Sequence, residues 1–187
     1  MIPIKNKKKN LENTVEEMRD FSLKYIEKYA PSKQQLKTYL LKKYLKLSTP
    51  NVRKGDIQNL IDIVLSDLEN LKFIDDKFYS ENKAKNLVKK GSSINKIRYY
   101  LISKGINSKY VKDAVNKIKD NETDIDFFSA IKICKKRRIG PSRPEDNRSL
   151  FYKKDMGVLA RNGFDFATSK RVLDLTKDEF IKIINLL

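Results

Sequence analysis

Apolar positions recur every three or four residues along almost the whole chain, which is the signature of amphipathic helices. Thr14-x-x-Glu17 forms a capping-box start, and Met18, Phe21, Tyr25, Ile26 and Tyr29 follow at helical spacing until Pro31. Ser32 is placed to cap a second helix through Leu36, Tyr39, Leu40 and Tyr44, with Lys33, Lys37, Lys42, Lys43 and Lys46 around the rest of its circumference. A turn at Ser48-Thr49-Pro50-Asn51 leads, past Gly55, to a third helix on Ile57, Leu60, Ile61, Val64, Leu65 and Leu68.

The pattern then starts again. Asp75-Asp76 opens a helix through Phe78, Tyr79, Ala84 and Leu87 that stops at Gly91. Ser92-Ser93 caps the next, which is expected to bury Ile94, Ile97 and Leu101 while Lys96, Arg98, Tyr99 and Ser103 face away. After Gly105 and the Asn107-Ser108 cap, a third helix presents Val111, Val115 and Ile118 to the interior. A last set begins at Thr123-x-x-Asp126 and runs through Phe127, Phe128, Ile131 and Ile133. It is broken at Gly140-Pro141-Ser142-Arg143-Pro144, continues as helices near 148–161 and 167–173, and closes with Thr176-x-x-Glu179 capping an extra helix over 180–187. No segment alternates as a strand would.

One short motif ties the sets together. Tyr100-Leu101-x-x-Lys104-Gly105-Ile106 has counterparts in Tyr39-Leu40-x-x-Lys43-Tyr44-Leu45 and Val158-Leu159-x-x-Asn162-Gly163-Phe164, at a spacing of roughly sixty residues. The expected architecture is all-α: an elongated tandem array of three three-helix repeats, at 14–72, 73–121 and 122–187, the last with an extra C-terminal helix, preceded by a basic flexible arm at 1–13 that includes Lys5–Lys9.

Charge narrows the partners. The 187 residues carry 41 Lys and Arg against 24 Asp and Glu, a net charge of +17, which favours a polyanion such as nucleic acid or a strongly acidic protein surface. A lysine-rich composition throughout is the ordinary alternative. The run Lys135-Lys136-Arg137-Arg138, followed by Arg143 and Arg148 around the proline-broken loop, is the densest basic stretch. Tyr99, Tyr100 and Tyr110 lie among lysines and could stack on unpaired bases, although tyrosines at helical spacing more often pack a core edge.

Catalysis finds little support. With no histidine and a single cysteine, Cys134, the chain has neither the commonest general base, nor a structural zinc set, nor an intrachain disulfide, and a reducing cytoplasmic compartment fits. Asp75 or Asp76 with Glu81-x-Lys83 has the composition of a metal-nuclease site, but such carboxylates converge from strands, whereas these share one helix and its cap. No phosphate-binding loop and no membrane-spanning apolar run occurs in the sequence, so the reading is a non-enzyme without cofactor or metal. A helix-turn-helix repressor would need a recognition helix rich in base-reading side chains; lysine spread over tandem modules follows a backbone instead.

Ile74-Asp75-Asp76, Tyr79, Gly91, Ile97-Arg98-x-x-Leu101-x-x-Lys104-Gly105-Ile106, Leu159-Ala160-Arg161-x-Gly163-Phe164 and Lys170-Arg171-Val172-Leu173 together resemble the RecX regulatory proteins of bacteria, over about Val15 to Leu173. The resemblance implies tandem three-helix repeats that bind the RecA recombinase filament on single-stranded DNA; double-stranded DNA is a further candidate ligand, and a monomer is expected. It implies modulation of recombinase ATPase, strand-exchange and coprotease activity, usually by inhibition. A general DNA-binding protein without a recombinase partner is the alternative. The basic positions that line up with the family are Lys85, Lys90, Lys96, Arg98 and Lys104. Phe78 replaces a basic residue of the family pattern and Tyr100 an acidic one, so neither contact carries over, and 176–187 is additional to the family.

Overall fold

The computed structural model describes residues 11–47, 53–121 and 124–187. The basic arm around Lys5–Lys9, the turn at Ser48-Thr49-Pro50-Asn51 and the Thr123 cap lie outside the described residues. Among those described, the chain is all-helical: α1 (Val15–Tyr29), α2 (Lys33–Leu47), α3 (Lys54–Asn70), α4 (Asp76–Lys89), α5 (Ile94–Ser103), α6 (Ser108–Asn121), α7 (Ile125–Arg137), a 3-10 turn (Gly140–Ser142), α8 (Glu145–Arg161), α9 (Phe166–Leu173) and α10 (Lys177–Leu186). They form two compact units, Met1–Tyr79 and Ser80–Leu187, and the unit boundary falls within α4.

In the first unit α1, α2 and α3 close around Met18, Leu36, Leu40, Tyr44, Ile57, Ile61, Val64, Leu65, Leu68 and Ile74. The caps explain the helix limits. Thr14 Oγ1 accepts from the Glu17 amide at 3.2 Å, Ser32 Oγ from the Gln35 amide at 3.2 Å, and α1 stops where Ala30 takes a left-handed conformation ahead of Pro31. Tyr44, fully buried, donates its hydroxyl to Glu17 Oε2 at 3.1 Å. Helix α3 starts at Lys54, so Gly55 lies inside it rather than ahead of it.

In the second unit α5 and α6 pack as a hairpin, burying Ile97, Leu101, Ile106, Val111, Ala114, Val115 and Ile118, as the 3.6-residue period requires. Helices α7 to α10 surround a core of Phe127, Ala130, Ile131, Ile133, Cys134, Ile139, Leu159, Phe164, Val172, Leu173 and Phe180. Burial pushes the Cys134 thiol up to about 12, so it acts as a small apolar core residue.

The repeated motif is a helix stop. At the end of α5 the Gly105 amide donates to Ile102 O (2.9 Å) and the Ile106 amide to Leu101 O (3.2 Å); at the end of α8 Gly163 donates to Ala160 O (2.8 Å) and Phe164 to Leu159 O (3.3 Å). Both are Schellman motifs, with glycine at φ +74° and +87° and the next apolar residue buried. In the first copy Tyr44 stands where the glycine would be, and α2 continues through it to Leu47. Helix α7 stops in the same way without glycine: Arg138 takes φ +54° and Ile139 donates to Cys134 O at 3.1 Å. The basic run therefore ends one residue past its helix, before Gly140.

A second regularity was not read from the sequence. The Lys33 amide at the start of α2 donates to Asp76 Oδ1, and the Ile94 amide at the start of α5 donates to Asp126 Oδ1, both at 2.8 Å. In each case a carboxylate from the first turn of a later helix caps an earlier one, where free amides and the positive helix end attract it. Burial raises both carboxyls above their ordinary range, with the accepted amide bond acting in the opposite sense.

Candidate polyanion-binding surface

The basic positions fall into three structural groups. Lys135, Lys136 and Arg137 form the last turn of α7, with Arg138 as its cap, and all four are exposed. No carboxylate among the described residues pairs with them. Four cations at the negative end of a helix dipole stabilise that end, and they leave their charge available to a ligand. Lys85 on α4 and Lys90 just beyond it are also exposed and outside the described ion pairs.

The second group sits on α5, where the surroundings are mixed. Lys96 Nζ donates to Asn162 Oδ1 at 2.9 Å, next to the bond from Ser93 Oγ to Asn162 O at 2.8 Å, so this lysine helps dock α5 on the α8–α9 turn. Arg98 borders a cleft of about 510 Å³ shared with Lys119, Asp124, Asp126 and Asp165; its charge is set among carboxylates. Asp165 caps α9 through the Thr168 amide, and that bond holds its carboxyl below the usual range. Lys104 Nζ lies 5.2 Å from the Tyr100 ring centre. Tyr99 is 75% exposed, whereas Tyr100 and Tyr110 are half-buried.

Arg143 and Arg148 form the third group, and both have partners within the second unit. Arg143 reaches Asp155 with Nε and a terminal nitrogen at 2.7 and 2.8 Å, and Asp155 also accepts the Gly140 amide at 2.8 Å. Burial alone would push the Asp155 carboxyl up. The guanidinium and amide donors outweigh it and hold the carboxyl below its ordinary range. Arg148 donates to Leu173 O (2.9 Å) and Leu175 O (2.5 Å), tying α8 to the end of α9. These two arginines brace the Gly140–Pro144 loop and the α9–α10 link.

The nuclease-like carboxylates have structural partners as well. Asp75 Oδ1 accepts the Phe78 amide (2.9 Å), Asp76 caps α2, and Glu81 pairs with Lys117 (2.6 Å). Asp76 thus meets the backbone amide of Lys33. Among the described residues no group of three or more possible metal-binding side chains occurs, and no helix is long and apolar enough to cross a membrane.

Sequence reading did not single out Lys154, whose Nζ lies 5.6 Å from the Phe151 ring, while the Arg143 guanidinium lies 4.5 Å from it. The guanidinium of Arg171, part of a family-like stretch, stacks 3.9 Å from the Phe127 ring centre and pairs with Asp124. Lys154 stands three residues after Phe151 on one helix face, a spacing legible in sequence, whereas Arg143 and Arg171 lie 8 and 44 positions from their rings, and only coordinates reveal those two pairs.

Comparison with known proteins supplies what geometry cannot. No protein-family model matches the chain. It is 28% identical to the Regulatory protein RecX of Myxococcus xanthus over 164 residues, covering 84% of each. It is 32% identical to the Regulatory protein RecX of Clostridioides difficile over 130 residues, covering 66% of this chain and 57% of that one. The crystal structure of RecX from Lactobacillus salivarius shares the fold with a TM-score of 0.58 at 16% identity, covering 95% of this chain and all of the other.

Proposed function

The chain is identified as a RecX-family regulatory protein by its likeness in sequence and in fold, and from that premise we propose that it regulates the RecA recombinase by binding the RecA filament on single-stranded DNA. The proposal is a non-enzymatic, cytoplasmic modulator of homologous recombination and DNA repair that works as a monomer built from three helical repeats. The observation that carries it is the likeness to proteins named as regulators; the exposed, unneutralised cations Lys85, Lys90 and Lys135–Arg138 support the filament contact. Lys96, Arg98 and Lys104 belong to the same proposed surface as secondary contacts, each already engaged within the second unit.

Inhibition follows if the protein binds one filament state more tightly than another, because a ligand shifts such an equilibrium only through unequal affinity. Bridging neighbouring recombinase subunits would oppose the rearrangements that accompany ATP turnover. The test is the rate of RecA ATP hydrolysis on single-stranded DNA with and without this protein. A dose-dependent fall is expected, and an unchanged rate at saturating protein and low salt sinks the proposal.

The net charge of +17 favours one competing reading, a DNA-binding protein with no recombinase partner. Co-sedimentation separates the two: tighter binding to the recombinase-coated strand supports the filament, and equal or tighter binding to bare DNA supports the competitor.

A further inference from the structure

Three tyrosines of the first unit form one aromatic series, a stacked pair with a third, tilted ring beside it. Tyr25 of α1 stacks on Tyr39 of α2 with ring centres 4.1 Å apart and planes 14° from parallel, and Tyr29 continues the series from Tyr25 at 4.7 Å with its plane tilted by 46°. The series runs outward. Tyr25 and Tyr39 are half-buried, and Tyr29, in the last position of α1, is 55% exposed. A ring that only sealed the core edge would not need a stacked neighbour and then a more exposed third ring.

Charge is sorted around this series. Helix α2 contains five lysines and no carboxylate. Lys33 and Lys37, on the side facing α3, pair with Glu69 and Asp62 at 2.6 Å each. Lys42, Lys43 and Lys46, within about two turns of Tyr39, have no such ion-pair partner among the described residues. On α1, Lys24 and Lys28 flank Tyr25 and Tyr29, whereas Glu27 stands about 200° around the helix from Tyr25. Lys28 Nζ is 5.2 Å from the Tyr29 ring, and Lys43 Nζ is 3.2 Å from the Phe21 ring and 5.9 Å from that of Tyr39. The outcome is a π-face bordered by cations; Glu69 and Asp62 are paired on the α3 side, while Glu17 lies close enough to act on Lys43.

We propose that the Tyr39–Tyr25–Tyr29 series and its flanking lysines form a binding platform for unpaired bases of a single-stranded nucleic acid. A base stacks on the open face of Tyr29, and Lys24, Lys28, Lys42 and Lys46 meet the phosphates on either side. A duplex keeps its bases stacked on each other and offers only phosphates, so the platform discriminates single strands from double strands. The site goes beyond the filament reading, since it requires no recombinase and lies in the other unit from the α7 cations.

The test uses the full chain, without recombinase, and a fluorescently labelled oligothymidine followed by anisotropy. Tyr29→Ala is expected to lose about five- to a hundredfold in affinity with an unchanged salt slope, while Tyr29→Phe stays near the parent. Lys24→Ala combined with Lys28→Ala is expected to lower the salt slope by about 1.4. A duplex of equal length should bind the parent and Tyr29→Ala alike. Parent-like oligothymidine binding by Tyr29→Ala, or an equal loss on the duplex, overturns the platform. Because no recombinase is present, failure here leaves the ATPase test of the filament reading standing, and the reverse also holds.

Discussion

Asp155 shows what one residue decides in this fold. It is a carboxylate inside the second unit, 1% exposed, with three donors converging on it. Removing it leaves the Arg143 guanidinium and the Gly140 amide without their acceptor. Asp155→Ala should therefore cost about 3 kcal/mol in urea denaturation. Its carboxyl is held below the usual range in the folded state, which fixes the sign of the pH effect. The contribution is fully present above the unfolded value of about 4 and is lost as pH falls through the lower folded value, so parent and Asp155→Ala stabilities should converge in acid. Arg138 makes the opposite case. Its left-handed backbone is one that glycine adopts freely, so Arg138→Gly should raise stability by about 1 kcal/mol while removing a proposed phosphate contact. A thermal or urea melt checks the first effect and a polyanion-binding titration the second.

At the scale of elements, the Leu-x-x-Lys/Asn-Gly-apolar motif was legible from sequence as a repeat, and the structure explains it as a way of ending a helix. Gly163 shows how far that explanation reaches. A methyl group there would come within 2.5 Å of Ser93 Oγ and 3.2 Å of the Lys96 amide, at φ +87°. Ser93 Oγ cannot yield easily, because it caps α5 through Lys96 (3.1 Å) and donates to Asn162 O. Gly163→Ala should destabilise the protein by about 1–3 kcal/mol, measured by chemical denaturation. The helices themselves, their capping serines and their buried stripes were readable because they depend on residues three and four apart. The carboxylate caps from Asp76 to α2 and from Asp126 to α5 were not, since donor and acceptor stand 43 and 32 positions apart.

At the scale of the molecule, a net charge of +17 favours polyanion binding without saying where. Tertiary structure divides the cations. Some are neutralised by α3 in the first unit; Arg143 and Arg148 brace the second; Lys135–Arg138 remain exposed. Replacing Lys135, Lys136, Arg137 and Arg138 together by alanine should lower the salt slope of single-strand binding by about 3 and weaken any effect on recombinase ATP hydrolysis. Charge-neutral replacement of Arg143 should act on stability first, which denaturation and binding measured side by side will separate.

The amino-acid order alone determined an all-helical chain, its recurring Leu-x-x-Lys/Asn-Gly-apolar motif and its RecX-like motifs, since all of these are written in local spacing and residue type. Only the folded chain decided which basic side chains are consumed by internal partners, which carboxylates cap distant helices, and that Tyr25, Tyr29 and Tyr39 meet in one aromatic series. The physical reason is range. Helix formation is governed by bonds between near neighbours, whereas the charge and aromatic surface left to a ligand depends on contacts between residues far apart in sequence.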